Sequence, residues 1–290
     1  MRNPLSETVV NIKPSGIRKF FDIAAERKDT ISLGVGEPDL DTPWHIRDEG
    51  IYALEKGRTF YTSNAGLKEL REEIRNYIER KQHISYDPMK EILVTVGGSE
   101  AIDVALRCML NPGDEVIIPE PCYVSYVPCT KMADGVPVIV NLKNGSTWTV
   151  WGRSYLTALT LDESSRVLTP DRPKVIFQHV SIASLPGMRE RTIMINGFSK
   201  SFAMTGWRLG FACGPETIIG QMIKLHQFAI MCAPTTSQYA AVEALKNGEG
   251  DVNMMREAYD QRRRYLMHAF REMGLPCFEP GGAFYVFPCI

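Results

Sequence analysis

The chain has 290 residues, 44% hydrophobic and 23% charged, which suggests about two domains of an ordinary soluble globular protein with a substantial core. Its formal net charge of −1 gives no global field to draw nucleic acid or an anionic membrane surface, and its five His lack metal-ligand spacing. Seven Cys, odd in number and without a CxxC pair, fit reduced thiols in a cytoplasmic protein, and neither a signal-peptide core in MRNPLSETVV nor a bilayer-length apolar run is present.

Residues before Asp29 read as an arm and a helix, with Ile17, Phe20, Phe21 and Ala24 at helical spacing. Ile31 to Val35 reads as a strand that runs into Gly36-Glu37-Pro38-Asp39, where a glycine permits a tight turn or a close approach to a ligand. Tyr61 stands before a helix from Leu67 to about Arg80, whose Leu67, Leu70, Ile74, Tyr77 and Ile78 share one face. Ile92 to Val96 is a strand, followed by Gly97-Gly98-Ser99-Glu100 and a helix over Ala101 to Met109. Ser99 is suited to cap that helix, and free N–H groups at its start suit a phosphate. Glu100, a negative charge in the first turn, argues mildly against an anion there. Glu115 to Pro119 and Val136 to Val140 read as strands, and Tyr123 follows the first of them, where an aromatic can stack on a planar ring. Taken singly, each of these features is as well explained by turns, caps and packing.

The segment Ile193 to Gly210, IMINGFSKSFAMTGWRLG, is more specific. A buried strand, Thr192 to Ile195, breaks into small residues and presents Lys200; Thr205-Gly206-Trp207-Arg208 then leads into a second strand, Leu209 to Ala212. Loops at strand ends are where α/β proteins place their chemistry. A lysine desolvated beside a cation becomes a nucleophile towards carbonyls, and an arginine fork suits a phosphate. Together they suggest pyridoxal phosphate. Helices follow at His226 to Met231, Ser237 to Asn247 and Met255 to Met273, then a strand from Phe284 to Phe287.

This segment, Ser-Lys followed by Gly-Trp-Arg-Leu-Gly, resembles the Schiff-base lysine segment of the class I and II aminotransferases, the fold-type-I pyridoxal phosphate enzymes. The resemblance implies an α/β fold, a mostly parallel sheet flanked by helices, with an incomplete small domain. It implies an arm and part of the small domain over 1–44, a cofactor-binding domain over 45–246, and the start of the small domain over 247–290. It makes Lys200 the catalytic residue and the covalent cofactor anchor. Gly98, Ser99 and Arg208 would hold the cofactor phosphate, and Tyr123 would cover its ring. Tyr61 would reach the cofactor of the partner subunit in a homodimer, and Gly36 would contact substrate. The activity implied is transfer of an amino group between an amino acid and a 2-oxo acid; a carbon–sulfur lyase of the same fold, or a non-catalytic gene product, are the alternatives.

The likeness weakens from Lys143 to Gln178 and resumes at His179. The family's Asn-Pro-x-x-Pro-Thr-Gly turn, the helix and strand after it and the Asp-Glu-x-Tyr segment are absent, as is the small-domain arginine for the substrate carboxylate. The resemblance therefore implies an internally deleted member that ends early and is impaired in turnover.

Overall fold

The computed structural model describes residues 4–14, 36–120, 122–141, 181–277, 279–280 and 285–289. The expected helix around Ile17 to Ala24, the strand Ile31 to Val35 and the stretch Lys143 to Gln178 lie outside the described residues. After a short turn of helix, α1 (Glu7–Val10), come α2 (Trp44–Glu55) and α3 (Lys68–Gln82). Then follow β1 (Ile92–Thr95), α4 (Gly98–Met109), β2 (Glu115–Glu120), α5 (Tyr126–Met132) and β3 (Val136–Asn141). The second half holds β4 (Met194–Gly197), the one-turn helix α6 (Phe198–Ser201), β5 (Gly210–Cys213), α7 (Glu216–Ala229), α8 (Thr235–Asn247) and α9 (Glu249–Glu272).

The described strands form two ladders, β1-β5-β4 and β2-β3. β2 and β3 run parallel, whereas β5 is antiparallel to both of its neighbours, which therefore run in the same direction as each other. The α/β class is as expected, and β5 is the reversed strand within it. Alternation along the strands divides the core in two. Ile92, Val94, Met194, Phe211 and Cys213 pack with α3 and α8 residues such as Leu70, Ile74 and Ala241. Leu93, Ile195 and Ala212 point the other way, onto Ile102 and Val104 of α4 and Ile219 and Met222 of α7. The three-stranded ladder is thus buried on both faces, which is why its strands read as unbroken apolar runs.

Several helices begin at proline: Pro43, Pro215 and Pro234 are the N-caps of α2, α7 and α8, where a fixed φ suits the helix start and no intrahelical donor is lost. α7 begins ten residues before the expected His226, and α2 and α5 have no counterpart in the sequence reading. Residues 285–287 are not a strand; Pro288 forms an isolated bridge with Cys277. Among the described residues no helix is long and apolar enough to cross a membrane.

His45 on α2 ties three helices together. Its Nδ1 lies 2.6 Å from Glu243 Oε1 on α8 and its Nε2 3.0 Å from Asp251 Oδ2 on α9. Carboxylates accept only, so both ring nitrogens carry protons. Burial opposes that charge, but the bonds to Asp251 and Glu243, with their negative charges, outweigh it and hold the imidazole pKa above its ordinary value. A raised folded-state pKa gives stability that is complete below the unfolded value of about 6.5 and lost as pH rises through the folded one. His45→Ala should therefore lower the melting temperature more at about pH 6 than at about pH 9. Melts of both proteins across that range test this, and a gap that stays constant with pH would count against the clamp.

Candidate active site

The reversed direction of β5 builds the site. Its first residue, Gly210, pairs with Thr95 at the end of β1 and with Gly197 at the end of β4. The turn after β1, the lysine helix after β4 and the arginine before β5 are thereby gathered at one edge of the sheet. Side chains would not fit at the crossing. A Cβ on Gly210 would lie 2.6 Å from the Gly98 nitrogen, 2.7 Å from the Gly97 carbonyl carbon and 3.0 Å from the Asn196 oxygen.

Gly97, at φ 82°, turns the chain from β1 into α4 and is its N-cap. Ser99, expected as the cap, is instead inside the first turn, and the helix starts at Gly98. The Ser99 hydroxyl faces Tyr123 Oη at 3.3 Å, and the Tyr123 ring meets Tyr126 edge-on at 5.7 Å. Arg208 lies over this turn: a Cβ on Gly97 would come 2.9 Å from its Nη2. The Arg208 backbone is held at φ 51°, and Ala203 in the same loop at φ 50°, a left-handed conformation that costs a non-glycine residue energy and recurs at functional sites.

Lys200 sits in α6, and its Nζ donates to the Gly36 carbonyl. Gly36 in turn is covered by Tyr285, whose phenol occupies the space a Cβ would need. The loop between Lys200 and Arg208 is pinned by polar contacts that the sequence reading missed. Thr205 Oγ1 donates to the Glu37 carboxylate. Thr42 Oγ1 donates to the Ala203 carbonyl at 2.6 Å and accepts from Trp207 Nε1 at 3.1 Å, and Ser237 Oγ donates to the Trp207 carbonyl at 2.9 Å. Glu37, Asp41, Thr205, Trp207 and Ser237 also line an adjoining cavity of about 510 Å³. The aromatic and hydroxyl residues of Thr205-Gly206-Trp207 were the available signal, but their partners are distant in sequence.

Gly98, Ser99, Tyr123 and Arg208 thus meet at one turn, with Lys200 and Gly36 in contact with each other beside the same loop. Tyr61 does not join them within this chain. Its loop is fixed by Thr235 Oγ1 donating to the Phe60 carbonyl at 2.7 Å and Gln238 Nε2 donating to Thr62 Oγ1 at 3.1 Å, yet its ring is 83% exposed.

The model of the aminotransferase class I and II family matches residues 28–180 and 175–290. The chain belongs to that family. Class I and II aminotransferases use pyridoxal phosphate. This aminotransferase is 45% identical to the Bacillus subtilis protein YugH, named as an aminotransferase, over 100% of its own length and 84% of the relative's. It is 41% identical to an aspartate aminotransferase of Pyrococcus abyssi, over 99% of this chain and 83% of the relative. The solved structure of the Thermus thermophilus aspartate aminotransferase with maleate is similar at a TM-score of 0.87 and 32% identity, covering 99% of this chain and 85% of that one. The aromatic aminotransferase of Pyrococcus horikoshii is similar at a TM-score of 0.82 and 37% identity, covering 94% and 82%. The two family matches of this aminotransferase meet at residues 175–180. Its alignment with YugH runs over 329 positions although the chain has 290 residues, so the relative carries residues with no counterpart here.

The glycine crossing is testable. Gly210→Ala forces backbone apart and should cost about 1–3 kcal/mol, as overpacking does. Gly206→Ala, with nothing within 4 Å of its Cβ, should stay within about 0.5 kcal/mol of the parent. Urea unfolding of both variants reads the difference, and equal effects would refute the crowding argument.

Proposed function

We propose that this aminotransferase holds pyridoxal phosphate between the Gly98-Ser99 helix start, Arg208 and Lys200, and that Lys200 is its catalytic residue. The observation that carries the reading is the gathering of these groups at one sheet edge by Gly210. The donor set fits a phosphate: the N–H groups at the start of α4, which has no side-chain cap bond, the exposed Ser99 hydroxyl and a guanidinium lying over Gly97. The absence of a Cβ at Gly97 is what leaves room for Arg208 to come so near.

In this reading Arg208 would hold the phosphate with its fork, and Gly98 and Ser99 would donate to it. Tyr123 covers the cofactor ring. The cofactor, when bound, supplies an aldehyde that captures amines and a ring that accepts electrons. Lys200 would anchor it, and its Nζ would take and return a proton at the substrate carbon. The carbonyl of Gly36 holds that amine in place, and its backbone lies beside the substrate. Relatives named as aspartate and aromatic-amino-acid aminotransferases support an amino acid and a 2-oxo acid as substrates. Tyr61, with its ring in solvent beside the exposed Phe60, fits a homodimer in which it completes the phosphate site of the partner subunit. The cofactor domain would span 45–246.

The same reading makes the chain a weak catalyst. The Asp-Glu-x-Tyr segment has no counterpart here, so no carboxylate is assigned to hold a proton on the ring nitrogen.

Three measurements test this. Borohydride reduction with pyridoxal phosphate, followed by peptide mapping, should label Lys200; a label confined to other lysines would refute its role. Arg208→Lys keeps the charge but loses the fork, and cofactor affinity should fall about tenfold to a hundredfold; unchanged affinity would remove Arg208 from the phosphate site. Transamination over a panel of amino acids and 2-oxo acids should stay well below the usual range of about 1–1000 per second. Turnover within that range would mean that other residues have taken over the missing roles.

A further inference from the structure

Glu100 sits in the first turn of α4, where its charge would compete with a bound anion for the positive end of the helix. The structure gives that carboxylate other work. It reaches back across the turn, where Oε2 accepts the Val96 N–H at 2.5 Å. Oε1 lies 2.5 Å from Nδ1 of His226, in the last turn of α7. A carboxylate only accepts, so Nδ1 carries the proton. His226 is fully buried, and among the described residues its Nε2 has no partner. The ring's one bond is therefore the one to Glu100. Burying an imidazole with half its polar capacity unmet is poorly explained by stability alone, since an apolar ring of similar size leaves no orphaned atom.

The pair brackets the turn that carries Gly97, Gly98 and Ser99. Val96 follows the last residue of β1, Glu100 lies in the helix start, and His226, 126 positions beyond Glu100, fixes both to α7. The turn between them holds a left-handed glycine and has no side-chain cap bond of its own. Successive helix residues project about 100° apart, so Ser99 faces solvent and Tyr123 while Glu100 faces inward.

We propose that Glu100 and His226 are a positioning pair for the cofactor phosphate: they fix the Gly97–Ser99 turn in its donor conformation and withdraw the Glu100 carboxylate from the anion. This rests on the phosphate reading given above. Two roles for Glu100 predict opposite signs. If it were only a nearby negative charge, its removal would tighten phosphate binding. As half of a bracket, its removal loosens it.

The test compares affinity for pyridoxal phosphate with affinity for pyridoxal, which lacks the phosphate, in the apo-protein, with inorganic phosphate titrated separately. Glu100→Ala and His226→Phe should each lower the preference for the phosphorylated form by about tenfold, the loss of one charge-assisted bond, while pyridoxal affinity changes little. Glu100→Gln can still accept from Val96 and donate to a flipped imidazole tautomer, and His226→Asn places an amide donor where Nδ1 stood; both should keep most of the preference. If a disruptive single variant does not fold, the combined Glu100→Gln/His226→Phe variant, which buries no unpaired charge, should show the same loss. A preference kept or raised in Glu100→Ala, or in the combined variant, overturns the bracket. A parent protein that prefers neither ligand and does not bind inorganic phosphate overturns the phosphate reading, and the bracket with it.

Discussion

The close contact of three backbones at Gly210 is the constraint on which the rest depends. A strand wedged between two others that run the opposite way starts where they end. A helix N-terminus therefore comes together with a lysine and an arginine that lie about a hundred residues further along the chain. Gly210 has no side chain because the backbone of Gly97 and Gly98 occupies its place. The apolar layers on both faces of the ladder hold this crossing shut, and the polar groups are arranged around it afterwards.

That arrangement relies on hydrogen bonds more than on packing. The left-handed backbone at Ala203 is held by Thr42, which also accepts from Trp207, whose ring fills the space over Gly50. In a second network, buried Gln238 accepts from the Leu67 N–H at 2.7 Å and donates to the Ala233 carbonyl at 2.8 Å and to Thr62. The first network fixes the loop between Lys200 and Arg208. The second fixes the loop that holds Tyr61 outward. Each joins segments more than 150 positions apart, so each acts only once the core has formed.

This explains what could be read from the sequence. β1, β4 and β5 were legible because both of their faces are buried and small residues mark their ends. Their relative directions were not, since a continuous apolar run carries no direction. α3 was legible from one apolar stripe. α2 was not, because its buried residues are Ile46, Gly50 and Ala53, two of them small enough to leave no periodic signal. In α7, Gly220 and the β-branched pair Ile218-Ile219 obscured the first turns. The lysine and arginine stood out through a dense local motif, whereas Glu100 seemed ill placed because its partner, His226, lies in another helix.

The two family matches join at residues 175–180, between β3 and β4, and the described strands divide at that point. β1, β5 and β4 form one ladder and β2 and β3 another, and among the described residues β4 has a single ladder partner. The helix start, Lys200 and Arg208 all adjoin the first ladder, and Val116 of β2 packs against the core on its α4 face. Tyr123 alone comes from the second. It is kept in place by α5, whose Cys129 and Ala133 pack in the same apolar cluster as Val104 and Ala105 of α4, and by the Ser99 hydroxyl.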